Sequence, residues 1–65
     1  MVKVTRLDGV EYYINPHQIE YIETKPDTTL LMLSGKYLVV REPALVVIER
    51  IVEYRRRIGA FKNEE

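Results

Sequence analysis

Turn signals at short intervals constrain this chain more than any other feature of its sequence. They stand at Asp8–Gly9, Asn15–Pro16, Pro26–Asp27 and Ser34–Gly35. Glycine accepts the positive φ that tight hairpins require, whereas proline interrupts a strand and Asn or Asp bonds its own backbone in a turn. The segments between these turns have room only for short strands.

Those segments have the composition of β-strands, because they are rich in β-branched and aromatic residues. Val2–Thr5 alternates apolar with polar residues, the period of a strand with one buried face. The run Leu30–Leu33 is continuously apolar, which predicts burial on both faces. We expect Pro16–Gln18 to form a turn or one helical turn. The predicted strands span residues 2–7, 10–15, 19–24, 29–33 and 36–41.

The period becomes helical after Glu42–Pro43. Pro43 suits the first position of a helix, and Glu42 places negative charge near its N-terminus. The helix is expected to run from Ala44 to about Ile58 and to end at Gly59. We predict an α+β fold, a small antiparallel five-stranded meander followed by one C-terminal helix. The meander would form a curved sheet or a partly open barrel within a single domain of residues 1–59, with residues 60–65 as a tail.

The helix has a wider apolar arc than a core-facing helix needs. At about 100° per residue the arc spans roughly 200°. We expect Leu45, Ile48 and Val52 to cover the sheet. The rest of the arc then has no partner, unless a strongly curved sheet wraps the helix on two sides. We predict that this second stripe forms the interface of a homo-oligomer or lies in a partner's groove; its residues are Val47, Ile51, Tyr54, Ile58 and Phe61.

Size and charge narrow the class of protein. A domain of 65 residues buries only about 60% of the surface that its unfolded chain exposes, and this one has no cysteine for a disulfide. Self-association would supply further burial. Ten basic residues balance ten acidic ones, which argues against a dedicated nucleic-acid binder. No apolar run approaches the roughly 18 residues of a membrane span, and residues 1–6 lack a signal-peptide core, so we expect a cytoplasmic protein.

No pattern of residues indicates a catalytic, cofactor or metal site. His17 is the only histidine and stands in an expected exposed turn, without acidic ligands at a suitable spacing. Glu20 and Glu23 are three positions apart on a predicted strand and should face opposite sides, as should Ile19 and Ile22. We therefore expect no enzyme activity, no cofactor and no metal.

A basic cluster occupies the last turns of the helix. It contains Arg55, Arg56 and Arg57, with Arg50 and Lys62 nearby. One interpretation is a solvated face, paired in part with Glu53 through helical spacings. The other is contact with an acidic partner or a lipid surface.

The ordered string of motifs resembles one family. The string begins with Val4–Gly9 and Tyr13–Pro16, continues through Pro26–Thr28 and ends with Val47–Tyr54 of the helix. In this order, over about residues 2–58, it is similar to small flagellar and swarming-motility proteins of the FlbD/SwrD type. It departs from the proteins of this family at two positions. Asp8 stands where Asn is found as often, and Pro43 stands where another capping residue is usual.

The resemblance implies a non-enzymatic accessory of bacterial flagellar motility. Such a protein would bind a motor or stator component on the cytoplasmic side, near the inner face of the membrane, and support torque and swarming. A second, shorter resemblance stays open, because a meander with Asn15–Pro16 and a closing helix is also similar to the LytTR type of DNA-binding domain. That alternative implies a small nucleic-acid-binding regulator.

Overall fold

The computed structural model describes residues 1–62, and the side-chain environments of residues 1–58. The predicted order of elements is present, and the α+β class is confirmed. Four of the five strands are shorter than predicted, because residues at their ends belong to the turns, and the fourth keeps its predicted length but begins one residue earlier. The elements are β1 (Val2–Thr5), β2 (Glu11–Ile14), a 3₁₀ turn (Pro16–Gln18), β3 (Ile19–Glu23), β4 (Thr28–Met32), β5 (Tyr37–Val40) and α1 (Ala44–Lys62).

The antiparallel strands form two sheets, β1–β2 and β3–β4–β5. The sheets meet where Arg6 bridges Val40 and where the Arg41 N–H donates to the Thr5 carbonyl at 2.7 Å. Neither sheet closes into a barrel. The meander is therefore divided at the 3₁₀ turn, where Pro16 has no N–H to continue a ladder.

The turns have the local geometry that their residues favour. Gly9 and Gly35 adopt φ of +95° and +93°. The Asp8 carboxylate accepts from the Val10 N–H at 3.0 Å, and the Asn15 side chain accepts from the His17 N–H at the same distance. The Lys25–Pro26 bond is cis and precedes Asp27. These turns set where each strand begins.

A small core joins both sheets to the helix. Five apolar residues are at most 3% exposed: Val2, Val4, Leu30, Val40 and Val47. Half-buried side chains pack around them, namely Ile14, Ile19, Ile22, Met32, Leu38 and Ile51. Each layer of the fold thus contributes at least one buried residue.

A bulge changes the faces of β3. Ile19 pairs with Met32 and Tyr21 pairs with Leu31, so Glu20 is an extra residue. Because a bulge shifts the alternation by one position, Ile19 and Ile22 both pack on the core. The prediction that Ile19 and Ile22 face opposite sides was wrong. Because of the bulge, simple alternation also no longer places Glu20 and Glu23 on opposite faces, and both are exposed.

The apolar run of β4 is buried on one face only. Leu30 is fully buried, Leu31 is half-buried, and Leu33 beyond the strand is 57% exposed. The prediction of burial on both faces was wrong, because the helix packs mainly on β1 and leaves the far side of the β3–β4–β5 sheet uncovered.

The start of α1 is as predicted, but its end is not. The Pro43 carbonyl accepts from the N–H groups of Val46 and Val47 at 2.9 and 3.2 Å, so Pro43 caps the helix and Ala44 is its first residue. The helix continues through Gly59 to Lys62, which corrects the expected stop. A glycine costs a helix only about 1 kcal/mol relative to alanine, too little to end it when Ala60 follows.

The two apolar stripes of the helix have the opposite roles to those predicted: the stripe expected to be exposed packs on the core, and the stripe expected to cover the sheet is exposed. Val47 is fully buried and Ile51 packs on the core, so these residues cover the sheet. Tyr54 and Ile58 are half-buried on the same side. Leu45, Ile48 and Val52 instead are 74%, 43% and 46% exposed. The Phe61 side chain lies outside the described residues.

Candidate interaction surfaces

A polar network ties α1 to β1 and sets the rotation of the helix. The Glu42 carboxylate accepts from the Thr5 N–H at 2.9 Å, from the Thr5 hydroxyl at 3.0 Å and from Arg50 Nη1 at 3.0 Å. Arg50 Nη1 also donates to the Lys3 carbonyl at 2.8 Å. The apolar arc of α1 is too wide to determine which side of the helix packs on the sheet. These hydrogen bonds fix the rotation of the helix and turn Val47 toward the core.

The Glu42 carboxylate is stabilised in its charged form. Burial by itself raises the pKa of Glu42, but hydrogen bonds from the backbone of Thr5 and Glu42 and from the side chains of Thr5 and Arg50 outweigh it. The pKa therefore lies below the ordinary carboxylate value. The sequence-based interpretation of Glu42 as a charge at the helix start missed this network, which joins residues far apart in the chain.

Two arginines are bound to the first hairpin. Arg41 donates to the Leu7 carbonyl from Nε at 3.2 Å and from Nη2 at 3.0 Å. Arg6 donates to the Tyr12 hydroxyl at 2.9 Å and lies 3.4 Å from the Asp8 carboxylate. The hydrogen bond with Tyr12, and then the charge of Asp8, raise the pKa of Arg6. Both guanidinium groups hold the turn in place.

The basic cluster of the helix is only partly as predicted. Arg50 belongs to the Glu42 network and is not part of the cluster. Arg56 and Arg57 lie 3.4 and 3.7 Å from the Glu53 carboxylate, and their side chains are 73% and 77% exposed. Exposed pairs of this kind are worth a few tenths of a kcal/mol, so both arginines can exchange Glu53 for another carboxylate at little cost. Arg55 is exposed beside them.

His17 is exposed but not isolated. Its ring meets the Tyr54 ring edge-on, with 6.1 Å between the centroids and 65° between the planes. Within the described part of the chain, no group of three potential ligands is placed to hold a metal ion.

The far side of the β3–β4–β5 sheet is an apolar and aromatic surface, which we call the outer sheet face. Tyr21, Leu31 and Tyr37 form one row across its strands. Tyr21 is 44% exposed and Tyr37 is 62% exposed. The Tyr37 hydroxyl in the same row raises the pKa of Tyr21. The sequence did not reveal this face, because the continuous apolar run of β4 predicted burial on both sides.

A shallow open groove adjoins the outer sheet face. It has a volume of about 460 Å³ and separates the first hairpin turn from β5. Its lining combines apolar side chains with one cation and one carboxylate: Arg6, Leu7, Asp8, Tyr37, Leu38 and Val39.

A second exposed apolar surface lies on the helix, and we call it the outer helix stripe. It consists of Leu45, Ile48 and Val52. Exposed apolar surfaces bordered by charged residues are typical of proteins that bind other macromolecules. No helix within residues 1–62 has the length and apolar character to cross a bilayer.

This arrangement defines a small α+β protein whose exposed features are apolar surfaces bordered by arginines. A family model described as FlbD, flagellar and swarming motility proteins, matches residues 1–59. The chain therefore belongs to the FlbD family, as the sequence resemblance indicated, and has a role in flagellar or swarming motility. No curated protein and no solved structure matches the chain.

Proposed function

We propose that this protein is a non-enzymatic accessory of the flagellar motor. It binds a motor or stator component on the cytoplasmic side and supports torque and swarming. The observation that carries the proposal is the family match over residues 1–59, because it covers all strands and most of the helix.

The outer sheet face supports a binding role. Tyrosines are enriched at protein interfaces, since they add large apolar area with a polar tip. Tyr37 and Tyr21 lie outside the core, so a partner can cover them without disturbing the fold. We assign the main contact with the motor component to this face.

The arginines of the helix support contact with an acidic partner. Arg55, Arg56 and Arg57 project from the distal half of α1 and are exposed. Charges at the rim of an interface mainly accelerate encounter and confer salt dependence. A partner with an acidic surface is therefore favoured over a neutral one.

The test measures the torque of tethered cells and the number of flagella in a host that lacks the gene. Reduced torque with a normal number of flagella is the expected result. Normal torque with fewer flagella would contradict the proposal and point to flagellar assembly or gene regulation.

A pair of variants separates the binding face from the fold. Tyr37→Ala is expected to reduce complementation of swarming, because it removes an anchor of the outer sheet face. Tyr13→Ala is the control, since Tyr13 is 68% exposed on the other sheet. Equal complementation by both variants would remove the outer sheet face from the proposal. A DNA mobility shift that weakens steeply with salt would instead favour a regulator.

A further inference from the structure

The outer helix stripe has the spacing of a helix-packing surface. Leu45, Ile48 and Val52 are separated by three and four residues and fall within roughly 60° of arc at about 100° per residue. They point away from the side that holds the fully buried Val47. The core of this chain cannot cover both sides of one helix, so the stripe needs a different neighbour.

The small size of the buried core indicates that the protein needs additional apolar burial. The neighbour that covers the stripe should therefore be one that is always present with the chain. Only five aliphatic side chains of the described part are buried, and the sequence has no cysteine. Domains this small commonly gain further burial from disulfides, metals or oligomerisation. A second copy supplies that burial whenever the protein is concentrated.

The charged residues beside the stripe are complementary to those of a second copy of the chain. Glu49 and Arg56 lie on the same flank, seven residues or about two turns apart. When two helices pair antiparallel around a two-fold axis, like flanks meet, and each Glu49 then faces the Arg56 of the other copy. A parallel two-fold pair would bring opposite flanks together and would not form this pairing. The aliphatic stem of Arg55 can cover Val52 near the axis.

We propose that two copies of this chain associate through their outer helix stripes, antiparallel, around a two-fold axis near Val52. The dimer leaves the outer sheet face accessible, because that face lies on another element. The proposal does not depend on the partner in motility.

Sedimentation equilibrium of the purified chain tests the pairing. Val52→Asp is expected to raise the dimer dissociation constant about a hundredfold, since it removes apolar contacts twice and places two carboxylates near the axis. Val10→Asp is the matched control, because Val10 is also 46% exposed but lies on the first hairpin turn. Circular dichroism verifies that both variants are folded. A wild-type monomer at every accessible concentration, or equal dissociation constants for the two variants, would overturn the proposal.

Charge reversal tests the orientation. Glu49→Arg and Arg56→Glu are each expected to weaken the dimer, and the double variant is expected to restore it. Arg57→Glu is the control, because Arg57 also pairs with Glu53 but lies on another side of the helix. If the double variant did not regain the dimer affinity of the wild type, the antiparallel arrangement would be overturned. A monomer that binds phosphatidylglycerol vesicles and loses that binding with Val52→Asp would assign the stripe to a membrane surface instead.

Discussion

Glu42 holds the helix in its observed rotation, and its removal is predicted to destabilise the fold strongly. The side chain is 11% exposed and accepts three hydrogen bonds, one of them from Arg50. Hydrogen bonds to charged groups contribute about 1.5–3 kcal/mol each when buried, but Arg50 is 39% exposed and solvates readily. We therefore expect Glu42→Ala to lower the free energy of unfolding by about 2–3 kcal/mol. The total free energy of unfolding of domains of this size is only about 3–10 kcal/mol.

Urea unfolding followed by circular dichroism measures this loss at one fixed protein concentration, because the proposed dimer would make stability concentration-dependent. The midpoint should fall with an unchanged slope. Glu11→Ala is the control, since Glu11 is 57% exposed in an ion pair with Lys3 and should cost at most about 0.5 kcal/mol. Equal midpoints for the two variants would refute the role assigned to the network.

The same carboxylate makes stability depend on pH. Because the folded pKa of Glu42 lies below the ordinary value of 4.5, its contribution is present above pH 4.5 and is lost as pH falls through the lower folded pKa. Glu42→Gln should therefore flatten the acid limb of the stability curve. An unchanged acid limb would assign the pH dependence to other groups.

Three further predictions concern the turn, the helix and the tyrosine row. Gly9→Ala should cost about 1–2 kcal/mol in urea unfolding, because the φ of +95° is unfavourable for alanine. Val47→Ala should lower stability by about 2 kcal/mol, while Val52→Ala at concentrations below dimer formation should change it by less than about 0.5 kcal/mol. The opposite order would restore the sequence-based assignment of the helix faces. Tyr37→Phe should bring the pKa of Tyr21 back toward its ordinary value of 10.0 in an NMR titration, and an unchanged pKa would exclude the Tyr37 hydroxyl as its cause.

The two exposed surfaces suggest a division of roles. The outer helix stripe suits a second copy, because its charges are self-complementary. The outer sheet face suits a different protein, because Tyr21 and Tyr37 offer aromatic anchors in a fixed row. A dimer would then present two such faces to the proposed partner, and weak contacts would act together if that partner offers repeated sites.

Local features of this protein were determined by the sequence alone. The turns at Asp8–Gly9 and Ser34–Gly35 depend on glycine, and the change of period after Pro43 separates strands from helix. These signals act over a few residues, so the α+β class and the order of elements could be predicted. The family followed from the same ordered motifs.

Tertiary structure decided which surfaces are buried. The bulge at Glu20 places Ile19 and Ile22 on one face, and no local signal indicates it. The helix offered two apolar stripes of similar character, and their choice depended on Glu42 and Arg50 meeting Thr5 and Lys3 on β1. Contacts between residues more than thirty positions apart leave no periodic signal in the sequence, so only the packed fold shows which stripe remains exposed.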